Sequence, residues 1–121
     1  MKTSRIARAL LAAFALLLAQ FAHAHAAPKH QTPAAGATVS AATRKVAIEF
    51  DDALEPAFSS IVVTDAHGKP VTDCKSAVDT GNRKLMKVAL ASLAPGIYTV
   101  AWIAVADDGH RTHGHYTFTV R

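Results

Sequence analysis

The feature that most constrains the fold is a series of short segments with β-strand periodicity, separated by turn residues. In the first of them Val46, Ile48 and Phe50 alternate with more polar neighbours, as in a strand with one buried face. The five predicted strands are 45–50, 60–64, 85–90, 97–105 and 116–120. Turn signals lie at 33–36, 67–70, 79–82, 94–96 and 108–109. No helical period of comparable length competes, so the sequence predicts an all-β protein, a small antiparallel sandwich.

The two longest predicted strands also indicate which side chains form the core. Successive side chains of a strand point to opposite faces, so residues two apart share one face. We expect Tyr98, Val100 and Trp102 to point inward, and Tyr116, Phe118 and Val120 to do the same. Tyr98 directly follows the turn at 94–96, so the sequence predicts a tyrosine corner whose hydroxyl bonds back to the preceding loop.

Residues 1–24 have the pattern of a signal peptide. A basic start with Lys2, Arg5 and Arg8 precedes an apolar stretch at 9–19 and the small-residue site Ala22-His23-Ala24. A membrane-spanning helix needs about 20 apolar residues, and this stretch is shorter. We therefore expect cleavage after Ala24 and a mature domain of residues 25–121, exported to the periplasm without membrane insertion. The alternative site Ala24-His25-Ala26 would instead start the mature chain at Ala27.

Charge and cysteine content exclude other classes of protein. Three of the thirteen basic residues and none of the nine acidic ones lie in 1–24, so the predicted mature chain has a net charge of only +1. A nucleic-acid-binding protein would need a basic surface, and none remains. The single cysteine, Cys74, cannot form an internal disulfide, which fits a periplasmic domain better than a disulfide-rich secreted scaffold.

Cleavage after Ala24 would make His25 the first residue and create a metal chelate. A free α-amine and the imidazole Nδ1 of the same residue can close a six-membered ring on one ion. A second candidate lies in the predicted loop 106–110, where Asp108 and His110 are two residues apart and can converge on an ion. Asp-Gly is also common in turns that bind nothing, and loop histidines are often merely solvated. The loop alone leaves both interpretations open.

Several motifs together resemble the CopC family of periplasmic copper-binding and copper-resistance proteins. They are His25 with Pro33-Ala34, the Leu-x-x-Gly-x-Tyr-x-Val-x-Trp pattern of 93–102, Asp108-Gly109-His110 followed by Gly114 and Phe118-Thr119-Val120, and Phe50-Asp51-Asp52. The resemblance implies a Greek-key β-sandwich or barrel of immunoglobulin or cupredoxin appearance. It also implies that Cu(II) is bound by the His25 amine and imidazole, the His110 imidazole and the Asp108 carboxylate. Asp52 is then expected as a weak axial ligand or an outer contact.

The donor chemistry agrees with that metal. Three nitrogens and one oxygen suit tetragonal Cu(II), which has the highest affinity of the divalent ions for such sites. Zn(II), the main competitor, prefers a tetrahedron. A free α-amine has a reference pKa of about 7.7 to 8.0, so copper must displace a proton and should bind more weakly as the pH falls.

The chain also departs from the family. Some members carry a Met-rich loop for Cu(I), but the only methionine after residue 24 is Met86, which we expect in the core. Arg111 replaces the proline that follows the family's histidine. His113 and His115 are expected on a polar strand face, either solvated or holding a second, weaker ion. His30 and His67 are expected at the surface, and Cys74 is expected to have no role.

The predicted function is therefore the binding of copper, for sequestration or for delivery to a CopD-type inner-membrane protein, by a monomer that is not an enzyme. Two rival hypotheses remain. A copper oxidase could use the same histidine chelate, but it would need a substrate surface that a domain this small hardly offers. A metal-free sandwich serving as an interaction domain would show no specific copper affinity.

Overall fold

The computed structural model describes Arg8 and residues 25–121, so the predicted signal peptide and its cleavage site lie outside the described residues apart from Arg8. Residues 25–121 form eight strands and no helix. The strands are β1 (Pro28–Thr32), β2 (Thr38–Val39), β3 (Lys45–Phe50), β4 (Ser60–Thr64), β5 (Ala77–Val78), β6 (Leu85–Ala89), β7 (Gly96–Val105) and β8 (Arg111–Val120). No helix in this described part of the chain is long and apolar enough to cross a membrane.

The strands make two four-stranded sheets that face each other. Sheet one has the order β1-β3-β6-β5 and sheet two the order β2-β8-β7-β4. This confirms the predicted all-β sandwich. One strand pair departs from the antiparallel rule, because the two-residue β2 runs parallel to the end of β8. The β1–β3 pairing also contains a register shift between Pro28 and His30, which is a β-bulge.

Alternating apolar residues from both sheets fill the space between them. Phe50 and Met86 of sheet one and Phe118 of sheet two are almost completely buried. As predicted, Tyr98, Val100 and Trp102 point inward. The Tyr98 hydroxyl donates to the carbonyl oxygen of Ala94 at 2.6 Å, which confirms the tyrosine corner. The Tyr98 ring stacks on Phe118 with a centroid distance of 5.6 Å.

The strand β8 begins at Arg111, five residues earlier than the predicted start of 116. Its first half is polar and contains Gly114, so it carries no apolar alternation, yet it pairs with β7 from Val105↔Arg111 onward. Gly114 lies opposite Trp102 on the inner face. A Cβ atom at position 114 would lie 2.6 Å from Cζ2 of Trp102, so the indole packs on a backbone that only glycine leaves free.

Candidate metal centre

The turn between β7 and β8 closes tightly and holds two candidate ligands, Asp108 and His110. The backbone N–H of Ala106 donates to the carbonyl of His110 at 3.0 Å, and Gly109 takes a positive φ of 87° that favours glycine. Asp108 makes an Asx turn, because its Oδ1 accepts the backbone N–H of His110 at 3.0 Å. The same turn therefore fixes both the backbone of His110 and the carboxylate beside it.

The Asp108 carboxylate also orients the His110 ring. Its Oδ2 lies 2.9 Å from Nδ1 of His110. A carboxylate only accepts, so a neutral His110 carries its proton on Nδ1 and exposes the lone pair of Nε2. The His110 backbone N–H, followed by its imidazole, holds the pKa of Asp108 below its usual range, and attraction from His25 adds to this. A carboxylate-bound imidazole with a free Nε2 is a common arrangement in metal sites.

His25 is brought to this turn by the short segment that follows it. Ala26 is buried, and its carbonyl accepts a hydrogen bond from Oγ1 of Thr112 at 2.7 Å. The N–H of Ala27 donates to Oδ1 of Asp51 at 2.8 Å, and the N–H of Asp51 donates to the Ala27 carbonyl at 3.0 Å. Thr112 belongs to sheet two and Asp51 follows β3 of sheet one, so the segment is tied to both sheets.

The imidazoles of His25 and His110, 85 residues apart in sequence, meet at the surface. Their ring centroids are 4.9 Å apart, with an interplanar angle of 88°. With metal–nitrogen bonds of about 2.0 Å, two imidazoles bound at about 90 to 110° to each other on one ion have centroids roughly 4.5 to 5.2 Å apart. The spacing therefore fits two ligands of one ion. Within residues 25–121 no three or more His, Cys, Asp or Glu side chains form a ready-made metal cluster, and the Asp108 carboxylate, which bonds Nδ1 of His110, would have to turn to become a third ligand.

The remaining candidates lie in different places. Asp52 is partly buried, and its Oδ1 accepts the N–H of Ala53 at 2.8 Å rather than a bond from either histidine of the pair. His113 and His115 lie on the outer face of β8 and are exposed, as predicted. His30, His67 and Cys74 are exposed, and Met86 is fully buried in the core.

An arginine that sequence reasoning missed fastens the turn to sheet one. Nη2 of Arg83 donates to the Leu54 carbonyl at 2.9 Å and to Oδ1 of Asp107 at 2.5 Å. Glu55 is 3.6 Å from the same nitrogen, and its N–H donates to the Val105 carbonyl. Asp51 and Thr112 were also missed. These contacts join residues 24 to 86 positions apart, and no local pattern in the sequence marks them.

Comparison with known proteins identifies relatives of this chain. The chain is 37% identical over 121 residues to protein YobA of Escherichia coli K12, covering 99% of this chain and 96% of that one. The crystal structure of CopC from Methylosinus trichosporium OB3b matches with a TM-score of 0.73 and 31% identity, over 79% of this chain and 93% of that one. The crystal structure of PcoC, a methionine-rich copper resistance protein from Escherichia coli, matches with a TM-score of 0.71 and 34% identity, over 81% and 100%.

The chain also matches the domain that defines a protein family. Residues 28–121 match the CopC domain, from the start of β1 to the end of the chain. The matched stretch includes the His110 turn and both sheets. The family resemblance predicted from the motifs is thus confirmed, and the chain belongs to the CopC family.

Proposed function

We propose that this protein is a periplasmic Cu(II)-binding protein that sequesters or delivers copper for resistance and homeostasis. The ion is held by the amine and imidazole of His25, the imidazole of His110 and the carboxylate of Asp108. The observation that carries the proposal is the 4.9 Å approach of the His25 and His110 rings. Two imidazoles, an amine and a carboxylate favour Cu(II) over Zn(II) when arranged around one plane.

The relatives support copper as the cargo. PcoC is described as a methionine-rich copper resistance protein. The present chain is not methionine-rich, because Met86 is its only methionine among residues 25–121 and is fully buried. Thioether ligands, which suit Cu(I), are therefore absent from the surface of these residues. The nitrogen and oxygen donors at the β7–β8 turn are the ones that suit Cu(II).

The packing of Ala26 supports a mature chain that starts at His25. Ala26 is 1% exposed and accepts the hydrogen bond from Thr112. Cleavage after Ala26 would remove this buried residue together with His25. Cleavage after Ala24 keeps the anchor and adds one donor, the His25 amine, next to the imidazole pair.

The same placement supports a carrier rather than an enzyme. Both imidazoles lie at the protein surface, with the His110 side chain 56% exposed, so an ion there is accessible to an acceptor protein. We propose a CopD-type inner-membrane protein as that acceptor, and a monomer as the working form of the carrier.

The proposal is tested by measuring Cu(II) affinity through competition with a chelator. Protein that starts at His25 is compared with the same protein whose α-amine is acetylated. We expect acetylation to weaken the tight site by several orders of magnitude, because it converts the amine into an amide nitrogen and breaks the chelate ring. His110→Gln should also weaken the site, whereas the surface variant His67→Gln should leave it unchanged. Equal affinity in the acetylated and unacetylated proteins would refute the N-terminal chelate.

A further inference from the structure

A pair of histidines on the outer face of sheet two is not used by the site described above. His113 and His115 flank Gly114 on β8, and both are exposed while the residue between them faces inward. Residues two apart on a strand have Cβ atoms about 6.5 to 7 Å apart. The two imidazoles therefore extend from the same face, side by side.

The neighbouring strand leaves both rings free to bind. In the β7–β8 register His113 lies opposite Ile103 and His115 opposite Ala101, so the cross-strand neighbours are aliphatic. Together with Arg111 these residues line an open depression of about 420 Å³. Within the described part of the chain, neither ring has a hydrogen-bond or ion-pair partner among the side chains.

The spacing suits one metal ion. Cis nitrogen ligands with bonds of about 2.0 Å lie roughly 3 Å apart. Each imidazole extends several ångströms from its Cβ, so rings that start 6.5 to 7 Å apart can tilt together and bring one nitrogen each within that distance. Hydrated ions that accept imidazole are chiefly Cu(II), Ni(II) and Zn(II), and Cu(II) has the highest affinity.

We propose that His113 and His115 form a second, weaker site for a divalent transition-metal ion, and that Cu(II) is the ion it binds best. Water completes the coordination. Arg111 lies two residues before His113 on the same face of β8. The positive charge of its guanidinium lowers the affinity of the site for a cation. The site is thus expected to fill only after the tighter one, and its existence does not depend on the His25 chelate.

The test uses Cu(II) alone as the probe, in the full mature chain carrying His25→Gln and His110→Gln. At substoichiometric Cu(II), paramagnetic broadening in amide NMR spectra should be centred on residues 113–115 and on their partners 101–103. Adding His113→Gln and His115→Gln should lower the affinity at least tenfold, about 1.4 kcal/mol or more, and abolish this broadening. Adding His30→Gln and His67→Gln instead should change neither the Cu(II) affinity nor the broadening. Thermal unfolding checks that each variant is folded.

A second variant makes the test independent of the histidine substitutions. Arg111→Gln removes the adjacent cation and should strengthen binding a few-fold. Broadening centred elsewhere, or an affinity unchanged by loss of both histidines, would overturn the proposal. Failure of the N-terminal chelate would show differently, as a tight site in the unsubstituted protein that tolerates acetylation of the α-amine.

Discussion

At the scale of single residues, two buried tyrosines of sheet two have opposite hydrogen-bonding states. The Tyr98 hydroxyl donates to the Ala94 carbonyl at 2.6 Å. The hydroxyl of Tyr116 is buried and has no hydrogen-bond partner among the described residues. A buried polar group without a partner loses its hydration and gains nothing in return. The two hydroxyls should therefore contribute to stability with opposite signs.

Substitution by phenylalanine at each position tests this difference. Tyr98→Phe should lower the free energy of unfolding by about 1 kcal/mol, because the corner hydrogen bond is lost. Tyr116→Phe should leave stability unchanged or raise it, because it removes an unpaired hydroxyl. Urea denaturation of the two variants measures both effects. A loss at Tyr116→Phe as large as that at Tyr98→Phe would contradict the assignment.

The same residue gives an alkaline pH dependence. Burial raises the pKa of Tyr116 to about 12 from the ordinary value of 10.0. As the pH rises, Tyr116 therefore ionises in the unfolded chain before it ionises in the folded one. Its ionisation does not affect the free energy of unfolding below pH 10.0, and it lowers this free energy as the pH rises towards about 12. Thermal unfolding between these pH values should show a steeper decline for the native sequence than for Tyr116→Phe. Parallel declines would contradict this.

At the scale of elements, Arg83 joins the start of β6 to the turn that holds His110. Arg83→Gln should leave the sandwich folded but let the turn move relative to sheet one. We expect copper affinity to fall about two- to fivefold, because exposed ion pairs contribute about 0.2 to 1 kcal/mol. Chelator competition measures this.

The matched control breaks an ion pair of similar exposure away from the turn. Lys87→Gln removes the 3.0 Å contact between Nζ of Lys87 and Oδ1 of Asp79. Its copper affinity should equal that of the native sequence. If both variants weakened copper binding equally, Arg83 would have no specific part in positioning the turn.

The elements also show what sequence could reveal. Strands β3 and β7 were predictable because half-buried strands alternate, and β4 because its residues are largely β-branched. The two-residue β2 and β5 are too short to show a period. The first half of β8 is polar and becomes a strand only by pairing with β7. In the candidate site, His25, Asp108 and His110 were predicted as ligands from their chemistry, whereas the anchors Asp51, Thr112 and Arg83 act only across the folded chain.

At the scale of the whole molecule, a bound ion would join residue 25 to residue 110 and stabilise the native state alone. Cu(II) at 100 times its dissociation constant should raise the free energy of unfolding by about 2.7 kcal/mol. Thermal unfolding with and without Cu(II) measures this for protein starting at His25. The N-terminally acetylated form serves as the control and should gain much less. An equal gain in both forms would indicate stabilisation from another site.

The bulge between Pro28 and His30 has a consequence for how such an ion could leave. It interrupts the β1–β3 ladder just beyond the residues that deliver His25. Between His25 and the bulge, the segment is held chiefly by the hydrogen bonds to Asp51 and Thr112 and by the buried methyl group of Ala26. Peeling these few residues away as far as the bulge would separate the two imidazoles, while both sheets stay folded. In a mature chain that starts at His25, we therefore expect a bound ion to leave by local fraying of this segment, at far lower cost than global unfolding.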